Sequence, residues 1–209
     1  MTSIVGICRL SLDLLGDYAI ADLSDNTKQA RLCDRNYPAM RDAVLRSHPW
    51  NCALARARLP VMAEAPAFGF SRQYQLPADC LRLLPLTVGG YYDTGTIAHR
   101  VEGRRVLTDA EAPLDIIYVR RLTDPTDFDP LLVDAVAARL AWQIGYNLTG
   151  SRTLAADARQ TYFDKLVWRA PSVPLRIPAG WRRETDGESS SHTAFLFTRR
   201  TKPPVIIAG

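Results

Sequence analysis

Apolar residues recur at steps of three and four in four stretches of the chain, and this spacing predicts four amphipathic helices. The first occupies residues 3–15, and the second occupies residues 25–47, where Pro38 is expected to bend or weaken it. Two more helices follow Pro130, one on each side of Gly150. The four apolar stripes are Ile4, Cys8, Leu12 and Leu15; Ala30, Cys33, Tyr37, Met40 and Val44; Leu132, Val136, Leu140, Ile144 and Leu148; and Leu154, Ala158, Tyr162 and Leu166.

Between the second and third helices the helical spacing is replaced by short runs in which apolar and polar residues alternate. Residues 69–122 hold several such runs, separated by turn-forming sequences such as those at 77–79 and 89–90. Residues 114–119 are the strongest strand candidate. The expected fold is therefore mainly α with a β insertion (α+β): a four-helix bundle with one small antiparallel sheet, of about four or five strands, between helices two and three.

Residues 168–209 form an extended C-terminal arm that the first 167 residues do not obviously need. Its prolines break helices and its polar stretch at 184–191 resists burial, yet it carries several large apolar side chains. A segment that cannot fold alone but carries such anchors usually folds against another surface. The chain is thus divided into a domain, residues 1–167, and an arm, residues 168–209. The candidate docking residues of the arm are Trp168, Trp181, Arg182, Arg183, Phe195, Phe197, Arg199 and Arg200.

Composition narrows the function classes only slightly. The net charge of +4 is mild, and no run of five or more like charges suggests a polybasic arm. No apolar stretch approaches the ~20 residues that cross a bilayer, so a membrane partner is not expected. The four cysteines lack Cys-x-x-Cys spacing and favour free, buried thiols over disulfides or metal ligands.

The motifs that usually signal catalysis are missing from the sequence. It contains no His-Glu-x-x-His, no Gly-x-Ser-x-Gly and no phosphate-binding Gly-x-x-x-x-Gly-Lys sequence. We therefore assign no catalytic, cofactor-binding or metal residues and do not expect an enzyme. Asp124, Asp127 and Asp129 leave one alternative, a metal-dependent hydrolase, although capping of the third helix is the favoured interpretation.

Two arginine pairs leave a second alternative, a nucleic-acid-binding module. Arg104-Arg105 and Arg120-Arg121 could contact phosphates, although solvated faces or salt bridges between subunits are favoured. Trp50, which follows the second helix, is interpreted as a structural plug between helices and sheet rather than as a ligand platform.

Several segments, taken in order, resemble the head-to-tail adaptor family of tailed bacteriophages, also called tail tubular protein A. The most specific are RDAVLRSHPWN at residues 41–51 and LPADCLR at residues 76–82, followed by FDPLLVDAVAARLA at residues 128–141. The resemblance covers roughly residues 3–167 and fades in the arm.

The resemblance implies a structural virion protein that is assembled in the host cytoplasm and resides in the tail or neck. Such adaptors are helical bundles that form a ring, typically of twelve copies, with the β insertion facing the tail. The arm commonly docks on the portal protein, and a tail nozzle or other tail protein lies beyond the ring. Genomic DNA passes through the lumen during ejection without sequence-specific binding, and no cofactor is needed.

Overall fold

In the computed structural model of the protein, residues 2–87 and 96–167 are described. These two ranges contain four α-helices and six β-strands. In chain order they are α1 (Ile4–Asp13), α2 (Lys28–Ser47), β1 (Leu54–Leu59), β2 (Arg72–Gln75), β3 (Cys80–Leu83), β4 (His99–Glu102), β5 (Arg105–Thr108), β6 (Leu114–Arg120), α3 (Pro130–Thr149) and α4 (Arg152–Val167). Short 3-10 turns precede β1 and α3.

Side-chain caps set the starts of the first two helices. The Ser3 hydroxyl accepts from the amide of Gly6 at 3.0 Å, and the Thr27 hydroxyl accepts from the amide of Ala30 at 3.1 Å. The second helix therefore begins slightly later than predicted. It runs through Pro38 to Ser47 as one continuous helix.

The third helix is the centre of the helical part of the fold. Asp129 caps its start, and Gly150 ends it in the left-handed conformation (φ 69°) that favours glycine. Half of its residues are buried, and they lie all round the helix instead of along one stripe. Such a helix must be covered on several sides, and α1, α2 and α4 each pack against α3.

The predicted four-helix bundle is wrong. In a bundle each helix borders two neighbours around a shared core, whereas here α1 and α2 scarcely touch, and the main partner of α4 is α3. Part of the surface of α2 is covered by β3 and β6, and Leu84, Val119 and Leu122 complete the helical core. The apolar spacing of a helix identifies its buried face but not the element that covers that face, which explains the error.

The predicted single sheet is also wrong. The strands form two three-stranded antiparallel sheets, in the orders β1-β6-β3 and β2-β5-β4. The strand region begins at Leu54, well before the expected boundary at residue 69. β1 has the alternating sequence LARARL and pairs along its whole length with β6.

The strand β6 lies between two hydrophobic cores. Leu114, Ile116 and Tyr118 point into a core shared by the two sheets, together with side chains such as Tyr74 of β2. Val119 points to the opposite face and joins the helical core. Successive side chains of a strand face opposite sides, so one strand can contribute to both cores.

The cysteines are all free, as predicted. Cys8 and Cys33 are buried in the helical core. A hydrogen bond with Cys33, together with burial, raises the pKa of the Cys8 thiol, so this thiol stays protonated and unreactive at neutral pH. Among the helices of the described ranges, none combines the length and the hydrophobicity needed to cross a membrane.

Candidate functional site

The eight arm residues predicted to dock lie outside the described residues, so their positions stay a prediction. They are Trp168, Trp181, Arg182, Arg183, Phe195, Phe197, Arg199 and Arg200. The nearest described element is α4, which ends where the predicted arm begins. This helix and its partner α3 carry the most distinctive surface in the described part of the chain.

The helix α4 buries little of its own surface. Only Ala158 and Tyr162 are buried among residues 152–166, and large apolar side chains such as Leu154 (37% exposed) and Phe163 (39% exposed) reach solvent. The main described partner of α4 is α3, so the part of the α4 surface that faces away from α3 stays exposed. Its outer surface is therefore available for contacts with another molecule.

Two arginines and three aromatic rings meet where α3 and α4 pack together. We call Arg139, Trp142, Arg159, Tyr162 and Phe163 the Arg–aromatic cluster. The guanidinium carbon of Arg139 lies 4.1 Å from the centre of the Trp142 ring, and that of Arg159 lies 5.1 Å from the Phe163 ring. The Tyr162 and Phe163 ring centres are 5.4 Å apart, and those of Trp142 and Phe163 are 6.0 Å apart.

Each of the two helices contributes cluster residues at helical spacing. Arg139 and Trp142 are three residues apart on α3, and Arg159 and Phe163 are four residues apart on α4, so each pair shares a helix face. The short connection at Gly150 folds the two helices into a hairpin that brings the faces together. Each exposed cation–π contact is worth about 0.5–1 kcal/mol, enough to hold the guanidinium groups in place.

The guanidinium groups of the cluster keep donors available. Among the described residues neither Arg139 nor Arg159 forms a salt bridge, and Arg139 makes only a long hydrogen bond, 3.5 Å, to the Gln143 side chain. Partial burial lowers the pKa of Arg139, and the neighbouring Tyr162 opposes this shift. Arg139 nevertheless remains charged at neutral pH, because the pKa of an arginine lies far above it. The cluster is thus suited to bind a carboxylate or phosphate next to an apolar group.

A groove lies on the other flank of α4. It has a volume of about 250 Å³ and is lined by Leu10, Asp13 and Leu14 of α1, Asp134 and Ala137 of α3, and Thr161 and Lys165 of α4. The amine of Lys165 pairs with the Asp134 carboxylate at 2.8 Å. Leu10 and Leu14 stay 43% and 44% exposed, so the groove has an open apolar wall.

The aspartates before α3 are caps. The Asp124 carboxylate accepts from the amide of Thr126 at 2.9 Å, and these local hydrogen bonds lower its pKa. The Asp129 carboxylate accepts from the amide of Leu131 at 2.9 Å. The predicted cap of α3 is therefore confirmed for Asp129, whereas Asp124 caps the short 3-10 turn that precedes α3. In the described ranges, no group of three or more His, Cys, Asp or Glu side chains is arranged to hold a metal ion.

The arginine pairs of the β region are largely engaged within the chain. Arg121 pairs with Asp42 at 2.9 Å, and Arg104 donates to the carbonyl of Pro77 at 2.6 Å. Arg105 makes a longer hydrogen bond, 3.4 Å, to the Gln73 side chain. These contacts join strands and helices of one domain, which weakens the idea that the pairs serve as a phosphate-binding surface.

The interpretation of Trp50 as a structural plug is confirmed. The side chain is fully buried in the helical core. Its indole N–H donates to the carbonyl of Val44 at 3.0 Å, and the His48 ring contacts it edge-on at 5.1 Å. Because both faces are covered, this ring does not form a ligand platform.

Sequence reasoning missed the Arg–aromatic cluster. A signal was present, because Trp142 falls off the predicted apolar stripe of α3 and follows Arg139 at helical spacing. The packing of α3 on α4 is needed to connect these two residues with Arg159 and Phe163.

Comparisons of the chain with protein-family models and with curated proteins find no match.

Proposed function

We propose that this chain is a structural head-to-tail adaptor of a tailed bacteriophage. In this proposal, copies of the chain form a ring that joins the portal to the tail and lets the genomic DNA pass through the lumen. The arm, residues 168–209, would dock on the portal, and a tail nozzle or another tail protein would bind beyond the ring. The chain would act in the neck of the virion and would catalyse no reaction.

The observation that carries this proposal is the surface of α4. Among residues 152–166 of this helix only two side chains are buried, Leu154 and Phe163 are exposed, and Arg159 forms no salt bridge with a described residue. A surface of this kind is typical of a protein that is covered on assembly. This helix leads directly into an arm with several apolar anchors. The choice of a head-to-tail adaptor ring as the assembly rests on the resemblance to the adaptor family at residues 41–51, 76–82 and 128–141.

The aspartate and arginine alternatives receive less support. Asp124 and Asp129 already satisfy the amides that start a 3-10 turn and α3. Arg104 and Arg121 already bind groups within the domain. These four residues therefore have structural roles, which lowers the support for a hydrolase or a nucleic-acid-binding module.

We expect the paired substitutions Trp181→Ala and Phe195→Ala to weaken binding of the full-length chain to the portal at least 30-fold. Loss of one anchor residue at an interface costs about 2 kcal/mol or more, which corresponds to roughly 30-fold in affinity. The measurement is a titration of the portal protein of the same phage with the labelled chain.

The control is Phe68→Ala, which removes an aromatic side chain that is 87% exposed in the loop after β1. This variant should bind the portal as the wild type does. Equal binding by the arm variant and the wild type would refute the role of the arm. Failure of the wild type to bind any portal preparation would refute the proposed function.

A further inference from the structure

The Arg–aromatic cluster has a complementary surface elsewhere on the same chain. Residues 10–27 contain four aspartates and neither lysine nor arginine. The preceding Arg9 donates to the backbone carbonyls of Ile20 and Ala21 and not to a carboxylate. This acidic segment also exposes Leu10, Leu14 and Tyr18. It thus combines negative charge with apolar area, whereas the cluster combines positive charge with aromatic rings.

The groove is lined by two carboxylates, and one of them, Asp13, belongs to the acidic segment. Among the described residues Asp13 takes part in no salt bridge, while the other groove carboxylate, Asp134, is paired with Lys165. The volume of about 250 Å³ is below the ~300–1,000 Å³ typical of small-molecule sites. A groove of this size, with leucines on one wall, suits a single large side chain better than a free ligand.

The two surfaces lie on opposite flanks of α4. Thr161 and Lys165 line the groove, and Arg159 and Phe163 belong to the cluster. Residues two apart on a helix point in nearly opposite directions, since a turn takes 3.6 residues. The cluster therefore cannot reach the groove of its own molecule. A contact between them joins two copies head to tail, which is the kind of contact that closes into a ring when the rotation permits.

We propose that the Arg–aromatic cluster of one copy docks on the groove of the next copy. In this contact Phe163 packs against Leu10 and Leu14, and Arg159 pairs with Asp13. The inference rests on the ring that the proposed function requires, and it identifies the surfaces that build the ring. The aromatic and leucine side chains supply most of the affinity, and the ion pair fixes the register of neighbouring copies.

The test reverses each charge of the proposed pair in the full-length chain. We expect Arg159→Glu alone and Asp13→Arg alone to weaken self-association at least tenfold, because each places like charges opposite each other. The double variant should recover it, because opposite charges return at every contact. An equimolar mixture of the two single variants should also recover it, because a contact between unlike variants joins opposite charges and copies that alternate avoid the like-charged contacts. Sedimentation velocity over a dilution series measures the association. The matched control is Arg56→Glu, which makes the same charge change on the exposed side of β1 and should associate as the wild type does.

Each contrary outcome overturns the inference. The inference is overturned if the wild-type chain stays monomeric at its highest soluble concentration, both alone and with the portal. The inference is also overturned if Arg159→Glu associates as the wild type does, or if the double variant does not recover association. Binding of a single-stranded DNA oligomer that depends on Arg159, without self-association, would reassign the cluster to nucleic acid. Portal binding by the wild type is scored separately, so the proposed function can survive when this contact is refuted.

Discussion

Replacing Trp50 with alanine should lower the free energy of unfolding by about 3–5 kcal/mol. The ring is fully buried where α2 ends and the helical core meets the sheet, so its removal leaves a cavity. The substitution also removes the donor to the Val44 carbonyl. The Val44 carbonyl keeps a partner in the variant, because the Ser47 hydroxyl also donates to it at 2.7 Å, so the cavity accounts for most of the expected loss.

Chemical denaturation followed by circular dichroism measures this effect without relying on the fluorescence of the deleted ring. Phe68→Ala is the matched control, because it deletes an aromatic side chain that is 87% exposed. Its effect should stay within about 0.5 kcal/mol. If Trp50→Ala proved no more destabilising than Phe68→Ala, Trp50 would not be a structural plug.

Leu140→Ala should lower the free energy of unfolding by about 2–5 kcal/mol, which is the usual range for a fully buried leucine. Leu140 lies in the middle of α3 and has no exposed surface. Because α1, α2 and α4 all pack against α3, a cavity at its centre weakens the contacts that hold the helices together. The substitution keeps helix propensity high, so the loss reports on packing.

Leu131→Ala makes the same chemical change in the first turn of α3, where the side chain is 37% exposed. We expect it to cost much less than Leu140→Ala when both are measured by the same denaturation. Equal losses for the two variants would contradict the central position assigned to α3. A comparison of the midpoint and the slope of each transition separates lost stability from a change in compactness.

The sequence predicted the helices well because their signals are local. Apolar spacing, the cap at Asp129 and the glycine at position 150 act within one or two turns, and the structure contains all four predicted helices. The arrangement of those helices was not predictable in the same way. The core side of α2 is covered in part by β3 and β6, and no pattern within α2 distinguishes a strand from a helix as its partner.

The strands were harder to predict because their partners lie far away in the chain. β1 pairs with β6 across more than fifty residues, so its short alternating sequence carries little information by itself. β6 reads as one apolar run because Ile116 and Val119 face different cores. A single sheet was therefore expected where two sheets enclose a second core.

The features of the candidate site were also predictable only where they depend on residues close together in the chain. The cap at Asp129 and the plug at Trp50 follow from nearby residues, and both were predicted. The Arg–aromatic cluster joins Arg139 to Arg159 through rings on two helices, and it needs the packing of α3 on α4. The docking role of the arm, which includes Trp181 and Phe195, stays a prediction.

The most direct test of the proposed adaptor function is an electron cryomicroscopy reconstruction of the intact phage particles to which the proposal assigns this chain. We expect a closed ring of copies of the domain directly beneath the portal, with the α3–α4 hairpin at the contact between neighbouring copies and the arm on the portal surface. A neck whose density is fully explained by other proteins, in particles that lack this chain, would contradict the adaptor function.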